Sequence, residues 1–340
     1  MNRATTASVI AGAVLAVACR PTGPTVPGPQ RAAPRAAESR RGENWPIQAE
    51  EAERLFADAP MELVAYKPLA VGVAGAYKAE VVFPPSKRRI EVKWKTAPPG
   101  NFDSWNNNPR KEIASYAVQQ WFLDPKDYVV PTIALRCVPV TAFQRFDPKA
   151  APSIKDTQCV LGTISLWLDD VEVPKTLYDP VRFARDRWYA YHFSNFNVFG
   201  YLVEHRDGRA GNVLEPEESD DPRRVYSVDN GISFGGLVYN FLVTNWDVIR
   251  VPAIRREVVE RLRAVDRKKL DALGTLVELA ADGKGGMRPV QGGAPIDRDL
   301  GVRITKDRVQ MGLTRAEIDA VEHRLKDLLK RVDDGTQPVF

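Results

Sequence analysis

Histidine and cysteine are scarce in this sequence, and a charge excess of one sign is lacking. The 340 residues include 3 His and 3 Cys, too few to favour a zinc site built from these residue types. Lys and Arg number 48 against 44 Asp and Glu, which leaves a formal net charge of +4. A balance this even gives no indication of a nucleic-acid partner. With 44% hydrophobic and 27% charged residues, the composition is that of a globular protein and excludes collagen-like, mostly disordered and polytopic membrane classes.

A short apolar run near the amino terminus has the pattern of an export signal. Arg3 precedes this run, which covers residues 9–18 and is too short to cross a bilayer as a helix. The run ends in Leu-Ala-Val-Ala-Cys, which resembles a bacterial lipobox, where signal peptidase cleaves before the cysteine that carries the lipid. We therefore expect residues 1–18 to be a lipoprotein signal peptide and Cys19 to be lipidated. Plain secretion and an unprocessed amino terminus are the alternatives.

The residues after Cys19 predict a tether to the cell envelope. No Asp follows the cysteine, which favours the outer membrane as the location of a lipid-anchored protein. Six prolines lie between Arg20 and Pro46, and large apolar residues are almost absent there. Such a composition buries too little apolar surface to offset the entropy lost on ordering. We expect residues 19–48 to be an extended, disordered tether between the lipid and a folded domain.

Export also determines what the two remaining cysteines are expected to do. Cys137 and Cys159 lie in two strand-like runs, residues 132–140 and 158–168. In an oxidising compartment, a bridge that closes a loop of this size stabilises a fold by about 3 kcal/mol. The sequence therefore predicts a disulfide between them, and two buried free thiols are the alternative.

The hydrophobic pattern divides the remaining chain into a strand-rich part and a helix-rich part. Residues 49–170 are predicted to be mostly strands, and residues 171–340 mostly helices. The predicted helices cover residues 49–59, 109–122, 180–205, 251–265 and 268–281, and a last one opens with the capping box Thr314-Arg315-Ala316-Glu317. We expect an α+β fold with a β-rich amino-terminal lobe and an α-helical carboxy-terminal lobe around a cleft.

The most informative segment reads His-Arg-Asp-x4-Asn over residues 205–212. Phosphoryl transfer needs an acceptor that orients the attacking hydroxyl and, a few residues later, an oxygen ligand for the metal. Asp207 and Asn212 have this spacing. An apolar strand then delivers Asp229 to a glycine turn, which suits a carboxylate that binds Mg²⁺ or Mn²⁺ bridging nucleotide phosphates. Each element alone is weak evidence, and a lone Asp-Gly is typical of an exposed loop, but their combination in this order indicates a phosphotransferase site.

These motifs resemble the active site of atypical protein-kinase-like enzymes. The family includes type II phosphatidylinositol 4-kinases, secretory-pathway casein kinases of the Golgi and bacterial spore-coat kinases, whose metal-binding motif is often Asp-Asn-Gly. Here Asp229-Asn230-Gly231 occupies that position. The resemblance covers roughly residues 70–245 and implies a bilobal protein-kinase-like fold with ATP and Mg²⁺ or Mn²⁺ as cofactors.

The resemblance extends upstream to the residues that would bind the nucleotide. Family members place a lysine on a strand and a glutamate that pairs with it on the next helix, and the Glu here is Glu112. Lys93 and Lys95 are two residues apart and point to the same face of a strand. We favour Lys93 as the phosphate-binding lysine because it is in mid-strand; Lys95, or two solvated lysines on an edge strand, are the alternatives. Gly72 and Gly75 are the only candidates for a phosphate-covering loop, and an ordinary turn is the alternative.

Two functions are compatible with this pattern. The first is an exported, lipid-anchored kinase that transfers a phosphoryl group, or alternatively a nucleotidyl group, from ATP to a hydroxyl of a protein, glycan or lipid. Asp207, Lys93 and Glu112 would form its catalytic set, and Asn212 and Asp229 would bind the metal. The second is a catalytically inactive scaffold that uses the fold to bind a partner at the cell envelope.

Overall fold

The computed structural model describes residues 44–69, 75–84, 87–98, 107–208, 211–217, 224–235, 246–292, 296 and 298–340. Within these ranges the chain is a mixed α/β protein with three antiparallel sheets and eight α-helices. Not one helix in the described ranges combines the length and the apolar character needed to cross a membrane. The expected signal peptide, Cys19, most of the expected tether and Gly72 lie outside the described residues.

Helices and strands are mixed along the described parts of the chain. The helices are α1 Ala49–Asp58, α2 Pro109–Gln119, α3 Val140–Gln144, α4 Pro180–Arg185, α5 Arg187–Leu202, α6 Arg256–Arg263, α7 Arg267–Ala272 and α8 Arg315–Asp333. The strands are β1 Glu62–Pro68, β2 Ala76–Phe83, β3 Arg88–Thr96, β4 Ile133–Pro139, β5 Cys159–Leu166, β6 Val171–Glu172, β7 Val213–Pro216, β8 Tyr226–Ser227, β9 Val277–Ala281, β10 Met287–Pro289, β11 Val302–Ile304 and β12 Arg308–Met311.

The first sheet has five strands in the order β1-β2-β3-β5-β4. Side chains alternate between its two faces, as strand geometry requires. In β3 this alternation buries Ile90, Val92 and Trp94 on one face, where the ring of Trp94 lies 5.2 Å from that of Phe143 in α3. The intervening residues of β3, including both lysines, therefore face the opposite side of the sheet.

A disulfide between Cys137 and Cys159 joins β4 to β5, with 5.2 Å between the two Cα atoms. The expected bridge is therefore confirmed. The turn between β9 and β10 packs against this edge of the first sheet, because Gln158 N donates to Gly285 O at 2.7 Å and Met287 N donates to Cys137 Sγ at 3.3 Å. The edge is thus covered by a distant part of the chain.

The single helix predicted over residues 180–205 is wrong, because the structure breaks it into α4 and α5 at Asp186. The backbone of Asp186 is extended, and its carboxylate accepts hydrogen bonds from Trp188 N and Tyr189 N. An Asp in this position caps the helix that follows and ends the one that precedes it. Helix α5 is almost completely buried, and its aromatic side chains pack with Trp246.

The helix predicted over residues 268–281 is also wrong in its second half. Helix α7 ends at Ala272, and β9 follows as the centre of a four-stranded sheet with the order β10-β9-β12-β11. A Cβ atom on Gly312 would lie 2.3 Å from the backbone of Gly274, so the close approach of these two segments requires glycine. The carboxy-terminal part therefore contains a four-stranded sheet that the sequence does not predict, and its strand β9 replaces the end of a predicted helix.

Helix α8 closes this part of the molecule and begins with the expected capping box. Thr314 Oγ1 accepts from Glu317 N at 3.2 Å, and Thr314 N donates to Glu317 Oε2 at 2.8 Å. One face of the helix is buried in the core through Ile318, Val321 and other apolar residues.

Candidate active site

Strand β3 and helix α2 bring a lysine and a glutamate together inside the protein. Lys95 Nζ lies 2.9 Å from Glu112 Oε1, and both side chains are buried. The partner of Glu112 is therefore Lys95, and the preference for Lys93 in that role is wrong. Lys95 is the lysine nearer the end of β3 from which the chain continues to α2, and Glu112 lies in the first turn of that helix.

Asp229 reaches the same lysine from the other part of the chain. Lys95 Nζ donates to Asp229 Oδ1 at 2.8 Å, and Lys93 Nζ lies 3.7 Å from the same oxygen. The side chain of Asp229 is 29% exposed, whereas that of Lys95 is 2% exposed. We call Lys93, Lys95, Glu112 and Asp229 the cleft cluster, after the cleft that the sequence predicts.

Electrostatics keep Asp229 and Lys95 of the cleft cluster ionised. Burial by itself raises the pKa of Asp229, but the positive charges of Lys93 and Lys95 outweigh it and hold that pKa well below its usual value. Burial by itself lowers the pKa of Lys95, but Glu112 and Asp229 outweigh it and hold that pKa well above its usual value. Both groups are therefore charged at neutral pH, and each stabilises the other.

Asp207 and Asn212 contact each other directly. Asn212 Nδ2 donates to Asp207 Oδ2 at 2.8 Å and to the backbone oxygen of Asp207 at 3.0 Å. Both side chains are buried. The amide nitrogen of Asn212 is hydrogen-bonded to Asp207. The amide oxygen is therefore the atom of this side chain that can bind a hard cation.

The hairpin of β7 and β8 joins this loop to Asp229. Asn212 immediately precedes β7, and Asp229 follows β8 by two residues. Since the two strands are antiparallel, with Val213 opposite Ser227, these ends of the strands meet. Val228 N donates to Asn212 O at 2.9 Å. The backbone oxygen of Asn212 is therefore hydrogen-bonded to the residue immediately before Asp229.

A buried polar network fixes the turn at Asp229, which has a left-handed backbone with φ of 62°. Ser227 Oγ donates to Asn230 Oδ1 at 2.7 Å, and Asn230 Nδ2 donates back to Ser227 O at 3.3 Å. His205 Nε2 lies 3.4 Å from Ser227 Oγ, and burial lowers the pKa of His205 to about 4. A neutral His205 thus contacts the buried side of the turn. The sequence motif alone does not indicate that the side chain of Asn230 also stabilises it.

The two candidate metal ligands suit a cation that phosphate oxygens would also bind. Among the described residues, no group of three or more His, Cys, Asp and Glu could hold a metal, so a cage built from these side chains alone is not present there. Mg²⁺ in nucleotide sites commonly binds one or two carboxylates and completes its ligands with phosphate oxygens and water. One carboxylate, Asp229, and one amide oxygen, that of Asn212, are compatible with this pattern.

The candidate phosphate-covering loop lies mostly outside the described residues, and only Gly75 can be placed. Its φ is +62°, and a Cβ atom there would have no atom within 4 Å. Glycine is therefore favoured here by the positive φ. A Cβ atom at this position would not collide with any neighbouring atom.

The comparisons with known proteins add no family to these observations. No family model and no curated protein matches this sequence.

Proposed function

We propose that this protein is a protein-kinase-like phosphotransferase that transfers the γ-phosphoryl group of ATP to a hydroxyl acceptor. One observation carries the proposal: the buried ammonium group of Lys95 contacts Glu112 on one side and Asp229 on the other. A lysine held by a helix glutamate, next to the metal-binding aspartate, is the arrangement that positions nucleotide phosphates in protein kinases.

The order of the elements around the site supports the same proposal. The first sheet has the order β1-β2-β3-β5-β4, and the helix that carries Glu112 lies between β3 and β4 in the chain. We infer a bilobal kinase-like domain with lobes over residues 49–170 and 171–340, in which the β9–β12 sheet is an addition to the carboxy-terminal lobe.

Each residue of the site has a role in the proposed reaction. Asp207 orients the acceptor hydroxyl and accepts its proton while the hydroxyl oxygen bonds to the γ-phosphorus and the bond to ADP breaks. Lys95, with Lys93 beside it, binds phosphate oxygens. Asn212 and Asp229 would hold Mg²⁺ or Mn²⁺, which neutralises charge on the phosphates when it is bound.

Two isosteric substitutions test the proposal, because they are expected to have different effects on nucleotide binding and on turnover. The melting temperature of the wild-type protein should rise when ATP is added with Mg²⁺ or Mn²⁺, because a ligand at 100 times its Kd stabilises the folded state by about 2.7 kcal/mol. Asp229→Asn should abolish this rise, since Asn tolerates the left-handed backbone but lacks the charge. Asp207→Asn should keep the rise and lose ATP turnover, because Asp207 meets the acceptor and not the triphosphate.

The same measurements can reject the proposal. If the wild-type protein shows no shift with any nucleoside triphosphate and either metal, and neither substitution changes its behaviour, the active-site hypothesis is wrong. A scaffold that binds a partner through this fold is then the remaining function.

A further inference from the structure

A second buried ion cluster lies in the same first turn of α2 as Glu112. Arg110 Nη1 donates a hydrogen bond to Glu317 Oε2, and Lys111 Nζ lies 3.3 Å from Glu317 Oε1. The three side chains are 6%, 8% and 13% exposed, in the order Arg110, Lys111, Glu317. We call these three residues the α8 clamp, because they join the start of α2 to the start of α8.

The carboxylate of Glu317 has a second partner within its own helix. It accepts from Thr314 N and so completes the capping box of α8. Burial by itself raises the pKa of Glu317, but the hydrogen bond and charge of Arg110, the capping hydrogen bond and the charge of Lys111 outweigh it and hold that pKa below its usual value. The carboxylate is therefore ionised at neutral pH, and its position is determined by α8.

Two further contacts fix the same end of α2. Lys111 Nζ donates to Phe234 O at 3.4 Å, just after the turn that carries Asp229. Gly301, with φ of +68°, packs against the clamp: a Cβ atom there would lie 3.3 Å from Arg110 Nη1 and 2.7 Å from Gly312 O. Segments from three separate parts of the carboxy-terminal chain therefore meet on Arg110 and Lys111.

We infer that Glu317 is a positioning residue that holds α2 where Glu112 reaches Lys95. In kinases the helix that bears this glutamate is a control point, and a phosphate that binds arginine is one way to order the active arrangement. Here the carboxylate is part of the chain itself and is buried against its two cations. The helix is therefore fixed without a modification, and a phosphorylated residue is not needed for the Lys95–Glu112 contact. This inference rests on the proposed function only for its effect on turnover.

Glu317→Gln tests the clamp, with Thr314→Ala as its matched control. Gln at this position still completes a capping box but lacks the charge that holds Arg110 and Lys111. Thr314→Ala removes the threonine hydroxyl from the same box and keeps the carboxylate. Hydrogen exchange of the α2 amides, measured without nucleotide, should accelerate about tenfold or more in Glu317→Gln, because breaking one side of a buried ion pair is strongly destabilising. The rate in Thr314→Ala should stay close to that of the wild type.

Turnover provides the functional readout, and Glu317→Asp provides the conservative variant. Glu317→Gln should lower kcat/KM for ATP at least as much as it accelerates exchange, and Glu317→Asp should recover part of both losses. If Glu317→Gln does not fold, Arg110→Gln breaks the same pair with the capping box intact and should give the same two results.

The outcomes separate this inference from the proposed function. Equal α2 exchange in Glu317→Gln and Thr314→Ala would overturn the clamp, because Glu317 would then act only as a cap. Accelerated exchange with unchanged turnover would overturn the positioning role. If the wild-type protein binds no nucleotide, the proposed function fails, while faster exchange in Glu317→Gln alone still supports the clamp.

Discussion

The cleft cluster and the α8 clamp lie on the same turn of α2, yet their charges are arranged in opposite ways. In the cleft cluster one buried ammonium group serves two carboxylates, and one of these carboxylates is 29% exposed. In the clamp one carboxylate serves two cations and a backbone N–H, and all three charged side chains are at most 13% exposed. A buried ion pair needs well-placed partners to offset its desolvation. The difference agrees with our proposals, in which the more exposed cluster receives a ligand and the buried one holds a helix.

The largest effect on stability is expected within the cleft cluster, when its central lysine is replaced. Lys95→Met should lower the free energy of unfolding by about 3–5 kcal/mol, because Glu112 stays buried without its partner, and it should abolish the nucleotide-dependent rise in melting temperature. Lys93→Met, the matched control, should cost about 1 kcal/mol or less, since its contact with Asp229 is longer and nearer to solvent. Chemical denaturation and thermal shift measure both. Equal losses in the two variants would contradict the assignment of Lys95 as the central lysine.

A smaller effect is expected at the edge of the first sheet. There a disulfide joins β4 to β5, whereas the two clusters join their elements by ion pairs. Replacing Cys137 and Cys159 together by alanine should lower the free energy of unfolding by about 3 kcal/mol, as expected for a bridge between residues 22 positions apart. Nucleotide affinity should not change, because neither cysteine contacts the cleft cluster. A loss of affinity in the double variant would show that the edge of the sheet also shapes the cleft.

The smallest effect concerns acid and is expected at His205. His205 has a folded-state pKa of about 4 against an ordinary value of 6.5, so between these values the unfolded chain binds a proton that the folded protein excludes. Stability should therefore fall as the pH drops through this window, by about 2 kcal/mol from this residue between pH 6.5 and 5. His205→Gln should flatten that slope in chemical denaturation. An unchanged slope would show that His205 is not buried in its neutral form.

Much of the first sheet and its helices follows from short-range pattern. Strand β3, helix α2 and the capping box of α8 lie close to where alternation and capping residues predict them. By contrast, residues 277–281 lie in a stretch that the sequence predicts as helix, and they form β9 by pairing with β12, where Leu279 lies opposite Val309. Such pairing has no local signal, so the four-stranded sheet was not predicted.

The same limit applies to the candidate site. Lys93 and Lys95 share one face of a strand, so alternation alone does not show which of them α2 will cover. The capping box identifies Glu317 as a helix-capping residue, but its partner Arg110 is 207 positions away. A glutamate that caps a helix and neutralises a distant arginine has the same local pattern as one that only caps.

Helix α2 is hydrogen-bonded near both of its ends, which restricts its movement. At its last turn, Gln119 Oε1 accepts from Val129 N and Val130 N at 2.8 Å each, and Val129 O accepts from Ser227 N in β8 at 2.7 Å. With the clamp at its first turn, α2 has few degrees of freedom relative to the carboxy-terminal part. Movement of the first sheet relative to α2 would therefore separate Lys95 from Glu112. Under the proposed function, a nucleotide that needs such a movement to enter would break this ion pair, and closure over the phosphates would restore it.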